Sequence, residues 1–235
     1  IAMALKADKV YVLQANRGSH SSTGFFKWLD PINANDGEDT VKWITQQPFS
    51  NGKVTAYGVS YDGFNALATA GNSPQGLSSV IACSGPANAA TDSFTSGRFV
   101  EKFIFAYIST DRRANSAALS SVINPIVDPF SEKKMRDTID NILLGDELDE
   151  WHALDQAIDD ENNIYWKERS LYDVLSKTTV PILHVAGLHG DQDGRDTLLA
   201  FDHIQETSQY KDNHFLALHK AGHGCGDAEG LDIYK

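Results

Sequence analysis

Three residues of this chain, Ser60, Asp191 and His223, have the types and the order that acyl transfer by a serine nucleophile requires. A serine hydroxyl is a weak nucleophile at neutral pH and needs a base to take its proton. The base, a histidine, needs a carboxylate that fixes its tautomer and stabilises its cation. Ser60 lies in Gly58-Val59-Ser60-Tyr61-Asp62-Gly63, after the apolar run 54–57 and before a helix-like stretch, residues 64–70. A serine among small residues between a buried strand and a helix reads as a nucleophile elbow. Asp62 stands where G-x-S-x-G has its second glycine, and Gly63 follows. The close approach of helix to strand is therefore expected one residue later.

Each partner has competitors. His223 lies in Ala221-Gly222-His223-Gly224-Cys225-Gly226, a glycine-rich loop after the strand-like residues 214–218. His219 ends that same strand, His189 neighbours the acid, and His184, inside an apolar run, reads as a packed, hydrogen-bonded histidine. Asp191 is the chosen acid in Gly187-Leu188-His189-Gly190-Asp191-Gln192-Asp193-Gly194, with Asp193 the nearer competitor and Asp196 the weaker. The backbone N–H of Tyr61, the residue after the nucleophile, is the expected oxyanion donor, and a second donor is not identified. Cys83 and Cys225 are expected to be free thiols. Cys225 as an alternative nucleophile is less well placed than Ser60. No Cys/His spacing suggests a metal site, and the chemistry needs no cofactor.

These residues must be positioned by elements legible as alternating strands and helices. Residues 9–14, 54–59, 79–83, 180–186 and 214–218 read as strands, and 38–46, 64–70 and 197–204 as helices. That alternation predicts βαβ units and a mostly parallel sheet, an α/β fold, with chemistry at the carboxyl ends of its strands. Between Asn88 and Trp166 no clear strand is read, but 99–108, 131–144 and 148–158 have helical pattern, so a helical cap is expected. The predicted organisation is a first part of an α/β-hydrolase core over 1–87, the cap over 88–166 and the second part of the core over 167–235. Ser, Asp, His is the chain order that this fold uses.

The 235 residues carry 32 acidic and 20 basic side chains, a formal charge of −12, which argues against nucleic acid or an anionic membrane as partner. No run of about eighteen apolar residues is present. The chain reads as soluble, with the cytoplasm favoured over secretion.

The residues around Ser60 resemble the CocE/NonD family of serine hydrolases, the group that includes cocaine esterase, α-amino acid ester hydrolases, glutaryl acylase and X-prolyl dipeptidyl peptidases. The resemblance runs through Arg17-Gly18, Asn35-Asp36-Gly37-Glu38-Asp39-Thr40, Trp43-Ile44 and Gln47-Pro48-Phe49-Ser50-Asn51-Gly52-Lys53-Val54 into Tyr57-Gly58-Val59-Ser60-Tyr61-Asp62-Gly63. The displaced glycine is the family's form. Tyr165-Trp166-Lys167-Glu168-Arg169-Ser170-Leu171 is similar to the return from the family's cap, and Asp191 and His223 match its triad acid and base. The resemblance implies cleavage of a small-molecule ester or amide through an acyl-enzyme on Ser60. Earlier strands, with a tyrosine that is the family's second oxyanion donor, and a C-terminal jelly roll have no counterpart, so further polypeptide or a homo-oligomer is expected.

Asp191-Gln192-Asp193 is similar to the stretch with which α-amino acid ester hydrolases hold an ammonium group. Asp193, with Asp92 as a further carboxylate, is thus a candidate substrate-binding residue, although Gly194 lacks the next carboxylate; the plainer reading is solvated loop acids. An aminopeptidase-like acylase, a dienelactone or prolyl-peptidase-like hydrolase, and an inactive fragment serving as a binding module are the alternatives.

Overall fold

Four of the five segments that read as strands, 54–59, 79–83, 180–186 and 214–218, pair as such. The structure, a computed structural model, describes residues 9–24, 26–95, 98–99, 146–191, 193–226 and 232–234. Ile1–Tyr11, Leu29–Asp92 and Trp166–Lys235 form one compact unit, and Val12–Trp28 with Ser93–Tyr165 form another.

The first unit is an α/β layer. After α1 (Asn33–Thr45) come β1 (Val54–Val59), α2 (Tyr61–Gly71) and β2 (Leu77–Cys83). A short α3 (Ala89–Ser93) leads out of the unit. The return brings α6 (Tyr172–Leu175), β5 (Ile182–Gly187), α7 (Gly194–Thr207), β6 (His214–His219) and β7 (Asp232–Tyr234). The sheet order is β1-β2-β5-β6-β7, with the first four strands parallel and β7 antiparallel to β6. Parallel strands need crossovers; Phe64, Leu67, Leu175 and Ile204 of the helices are buried, as are Ile182, Val185 and Ala217 of the sheet. The strand β7 was not foreseen: three residues are too few to show an alternation.

Two further expectations change. Residues 9–14 form no strand, and Val10, Tyr11, Val12 and Leu13 are exposed. Their alternation suits a sheet, but a strand exists only where a neighbour completes its ladder, and no described strand pairs with this segment. In the second unit a two-residue pair, β3 (Phe94–Thr95) with β4 (Arg98–Phe99), appears where no strand was read. There α4 (Asp146–Ala157) matches the expected helix over 148–158 and buries Trp151, Leu154 and Ala157. The one-turn α5 (Ile164–Lys167) ends at the return. The other two expected cap helices, 99–108 and 131–144, lie outside the described residues except for Phe99, which is in β4. Among the described residues no helix is long and apolar enough to cross a membrane.

Candidate active site

Four parallel strands end at one edge of the sheet, and each hands the chain to a residue of interest. Ser60 follows β1, Ser84 follows β2, the loop bearing Asp191 follows β5, and the loop bearing His223 follows β6. Backbone bonds extend the ladder into these ends: Ser60 N–H donates to Cys83 O at 2.9 Å, Ser84 N–H to Val185 O at 2.7 Å and Leu188 N–H to His219 O at 2.9 Å.

Ser60 has φ 60° and ψ −129°, a conformation disfavoured for a residue with a Cβ and held here by the turn between β1 and α2. The glycines explain how the turn closes. A Cβ on Gly58 would lie 2.0 Å from Asp62 O, and one on Gly63 would lie 2.7 Å from the Cα of Gly85. The helix thus approaches the loop after β2 at position 63, while Asp62 faces solvent and needs no glycine. This is the one-residue displacement read from the sequence.

The acids are buried. The Asp191 side chain has no exposed surface; Oδ2 accepts from Gly187 N–H at 2.7 Å and the Ser84 hydroxyl at 2.8 Å, and Oδ1 accepts from Asp193 N–H at 3.2 Å. Nδ1 of His223 lies 3.1 Å from Asp191 Oδ1 and 3.8 Å from Asp193 Oδ2, so Asp191 is the closer acid. The imidazole is 31% exposed. Ser60 Oγ donates to Asp193 Oδ2 at 3.4 Å, and among the described residues it makes no hydrogen bond to His223.

Burial raises the Asp193 carboxyl to about 6, against the opposing pull of His223 and a hydrogen bond from Asp92. Asp92, on α3, is held well above the usual carboxylate range by burial and then by the charges of Asp193 and Asp196. The two carboxyl groups are joined by a side-chain hydrogen bond. These are not solvated loop acids, and Asp92 and Asp193 are in contact beside Ser60. A side chain at Gly194 would run into Asp191, its Cβ 2.9 Å from Oδ2, which explains why no carboxylate follows Asp193.

The competitors are placed elsewhere. Asp196 is buried and holds the start of α3, accepting from Asn88 N–H at 3.0 Å, Tyr172 OH at 2.9 Å, Ala87 N–H and the Thr91 hydroxyl. His219 is buried, its Nε2 donating to Gly224 O at 3.0 Å, and His189 is exposed. His184 is packed as expected, its Nε2 3.2 Å from Nδ1 of His214. Tyr61 begins α2 and its phenol accepts from Asn33 Nδ2 at 3.1 Å.

The expectation of free thiols is overturned: Cys83 and Cys225 form a disulfide, with Cα atoms 5.0 Å apart. A separation of 142 residues conceals that the end of β2, which is Cys83, and the loop after β6, which bears Cys225, meet at the same edge of the sheet. Ser84 was also missed. Its signal was its place directly after a parallel strand, in Cys83-Ser84-Gly85-Pro86.

The sequence model of the X-Pro dipeptidyl-peptidase (S15) family matches residues 10–225. A cocaine esterase of Rhodococcus sp. (strain MB1 Bresler) is 29% identical over 203 residues, which cover 75% of this chain and 33% of that protein. An aminopeptidase from a marine sediment archaeon, Thaumarchaeota archaeon, is similar in structure with a TM-score of 0.66 and 19% identity, covering 88% of this chain and 36% of that one. An α-amino acid ester hydrolase gives a TM-score of 0.64 at 19% identity with the same coverage. A CocE/NonD family hydrolase from Staphylococcus aureus gives 0.56 at 18%, covering 86% of this chain and 38% of the other. The chain thus spans about a third of the length of these relatives.

Proposed function

Because the chain belongs to the X-Pro dipeptidyl-peptidase (S15) family, we propose that it cleaves a carboxylic ester or amide through an acyl-enzyme on Ser60. The observation that carries this reading is the 3.1 Å contact of His223 Nδ1 with the buried Asp191, at the strand ends beside an elbow serine. With Nδ1 committed to the acid, Nε2 is the ring nitrogen left to take a proton. Ser60 Oγ attacks the carbonyl carbon as His223 removes the hydroxyl proton. The tetrahedral oxyanion is met by the backbone N–H of Tyr61. Collapse expels the alcohol or amine, which leaves with the proton from His223, and water then repeats the cycle on the acyl-enzyme.

A second reading concerns the substrate, and the Asp92–Asp193 pair favours it. A carboxylate within 3.4 Å of the nucleophile hydroxyl, buried and ionised above about pH 6, suits a substrate with a free ammonium group next to its acyl carbon. Such a cation would take over Asp193 and release the Ser60 hydroxyl to His223.

The test of the main reading is hydrolysis of p-nitrophenyl acetate by the wild type and by Ser60→Ala. A loss of about three orders of magnitude or more is expected; an unchanged rate would show that Ser60 is not the nucleophile. A chain that never hydrolyses any ester or amide, yet binds one, would fit a non-catalytic binding module instead.

A further inference from the structure

Ser84 is fully buried, has φ 45° and is fixed to the sheet by its own N–H bond to Val185 O. Its hydroxyl touches both loops of the site at once. Oγ lies 2.8 Å from Asp191 Oδ2 and 3.1 Å from Gly224 O, and accepts the N–H of Gly224 at 2.9 Å. A hydroxyl has one hydrogen, and the carboxylate is the nearer and the charged acceptor. The hydrogen therefore goes to Asp191, and an Oγ lone pair takes the N–H of the residue after His223. One atom thus joins the acid to the histidine loop.

His223 needs such a tie. Its ring is 31% exposed and its neighbours in the chain are Gly222 and Gly224, so its own loop offers little to hold it. A catalytic base must be kept within a fraction of an ångström of its productive position. The end of β2, next to Ser84, is also joined to the His223 loop by the Cys83–Cys225 disulfide, and the bond from His219 Nε2 to Gly224 O ties the loop to the end of β6.

We infer that Ser84 is a positioning residue for His223: its hydroxyl, shared between Asp191 and Gly224, keeps the imidazole Nδ1 on Asp191 Oδ1. The kinetic readout of this inference rests on the proposed role of Ser60, while the geometric one does not. Three variants separate the hydroxyl from the backbone it sits on. Ser84→Gly removes the hydroxyl and relaxes a positive φ, Ser84→Ala removes it and keeps the strained backbone, and Ser84→Cys keeps a weaker donor.

The experiment measures kcat and KM for p-nitrophenyl acetate in each full-length variant. It also records the downfield proton resonance of His223 Nδ1–H, assigned by its disappearance in His223→Gln. Ser84→Gly and Ser84→Ala are expected to lose about 10- to 100-fold in kcat with KM within about twofold of wild type, and to lose or broaden the resonance. Ser84→Cys should fall between. A wild type without turnover whose resonance is nevertheless lost in Ser84→Gly would sink the serine-hydrolase reading and support the positioning one. Retention of both kcat and the resonance in Ser84→Gly would overturn the inference, since the serine would then matter only through its backbone.

Discussion

The hydroxyl of Ser60 is directed at Oδ2 of Asp193, 3.4 Å away, and that same oxygen lies 3.8 Å from Nδ1 of His223. Asp193 therefore contacts both of the residues proposed to react, while Asp191 holds the imidazole from behind at 3.1 Å. In the unliganded arrangement the nucleophile's hydroxyl donates to a carboxylate, and that hydrogen bond must be given up before the base can take the proton. Catalytic hydrogen bonds are commonly loose without substrate and tighten when it binds.

The two acids should separate kinetically. Asp191→Asn is expected to lower kcat by about four orders of magnitude, because it presents the wrong tautomer to His223. Asp193→Asn should cost a neutral acetyl ester about tenfold or less, while raising KM for a matched α-aminoacyl ester by about tenfold or more. Steady-state rates on the matched pair of esters decide this. A larger kcat loss at Asp193 would exchange the roles of the two carboxylates, and equal effects on both esters would remove the case for an ammonium-bearing substrate.

Asp193 should also cost stability. Its folded pKa of about 6 lies above the value of 3.8 for a solvated carboxyl, so the folded chain binds its proton more tightly. Stability from this group is full below about pH 4 and falls as pH rises through 6. Asp193→Asn, neutral at every pH, should be more stable than wild type at pH 8 by up to about 3 kcal/mol and no more stable at pH 4. Urea denaturation at the two pH values measures the difference.

His184 and His214 respond with the opposite sign. Burial depresses His184 to about 3, helped by the charge of His214, and burial depresses His214 to about 4. The unfolded histidines protonate near 6.5, so stability is full above that pH and declines as pH falls toward 4 and 3. By pH 5 each ring should have removed about 2 kcal/mol relative to pH 7.5. A His184→Leu, His214→Leu variant should lose much less over the same interval. An equal acid loss in that variant would place the sensitivity elsewhere.

The disulfide predicts that the unreduced protein, denatured, shows no titratable thiol, and that reduction by a dithiol reveals two. Opening a bond that closes so long a loop should lower stability by about 2–5 kcal/mol. If Ser84 and the other ties suffice to hold the loop, kcat falls by less than it does in Ser84→Gly. Two free thiols before reduction would contradict the pairing.

The parts of this site written in local sequence were legible, and the parts made by strand neighbours were not. The elbow at Ser60 could be read because its determinants, Gly58, Gly63 and the flanking strand and helix, lie within a few residues. Asp191 and His223 could be read as strand-end residues in the right order. Ser84 is marked locally only by its place after a strand; its role comes from β2 lying beside β5, so that Ser84 and Asp191 meet across 107 residues of chain. The disulfide was missed for the same reason. Residues 9–14 failed in the other direction, since their alternation promises a strand that only a partner can make.

The most direct measurement is the reaction of the intact chain with a fluorophosphonate, followed by mapping of the modified peptide. The account predicts one stoichiometric adduct on Ser60, formed at least about a hundredfold more slowly in His223→Gln and absent in Ser60→Ala. An adduct on another residue, or a Ser60 that reacts at the same rate without His223, would contradict it.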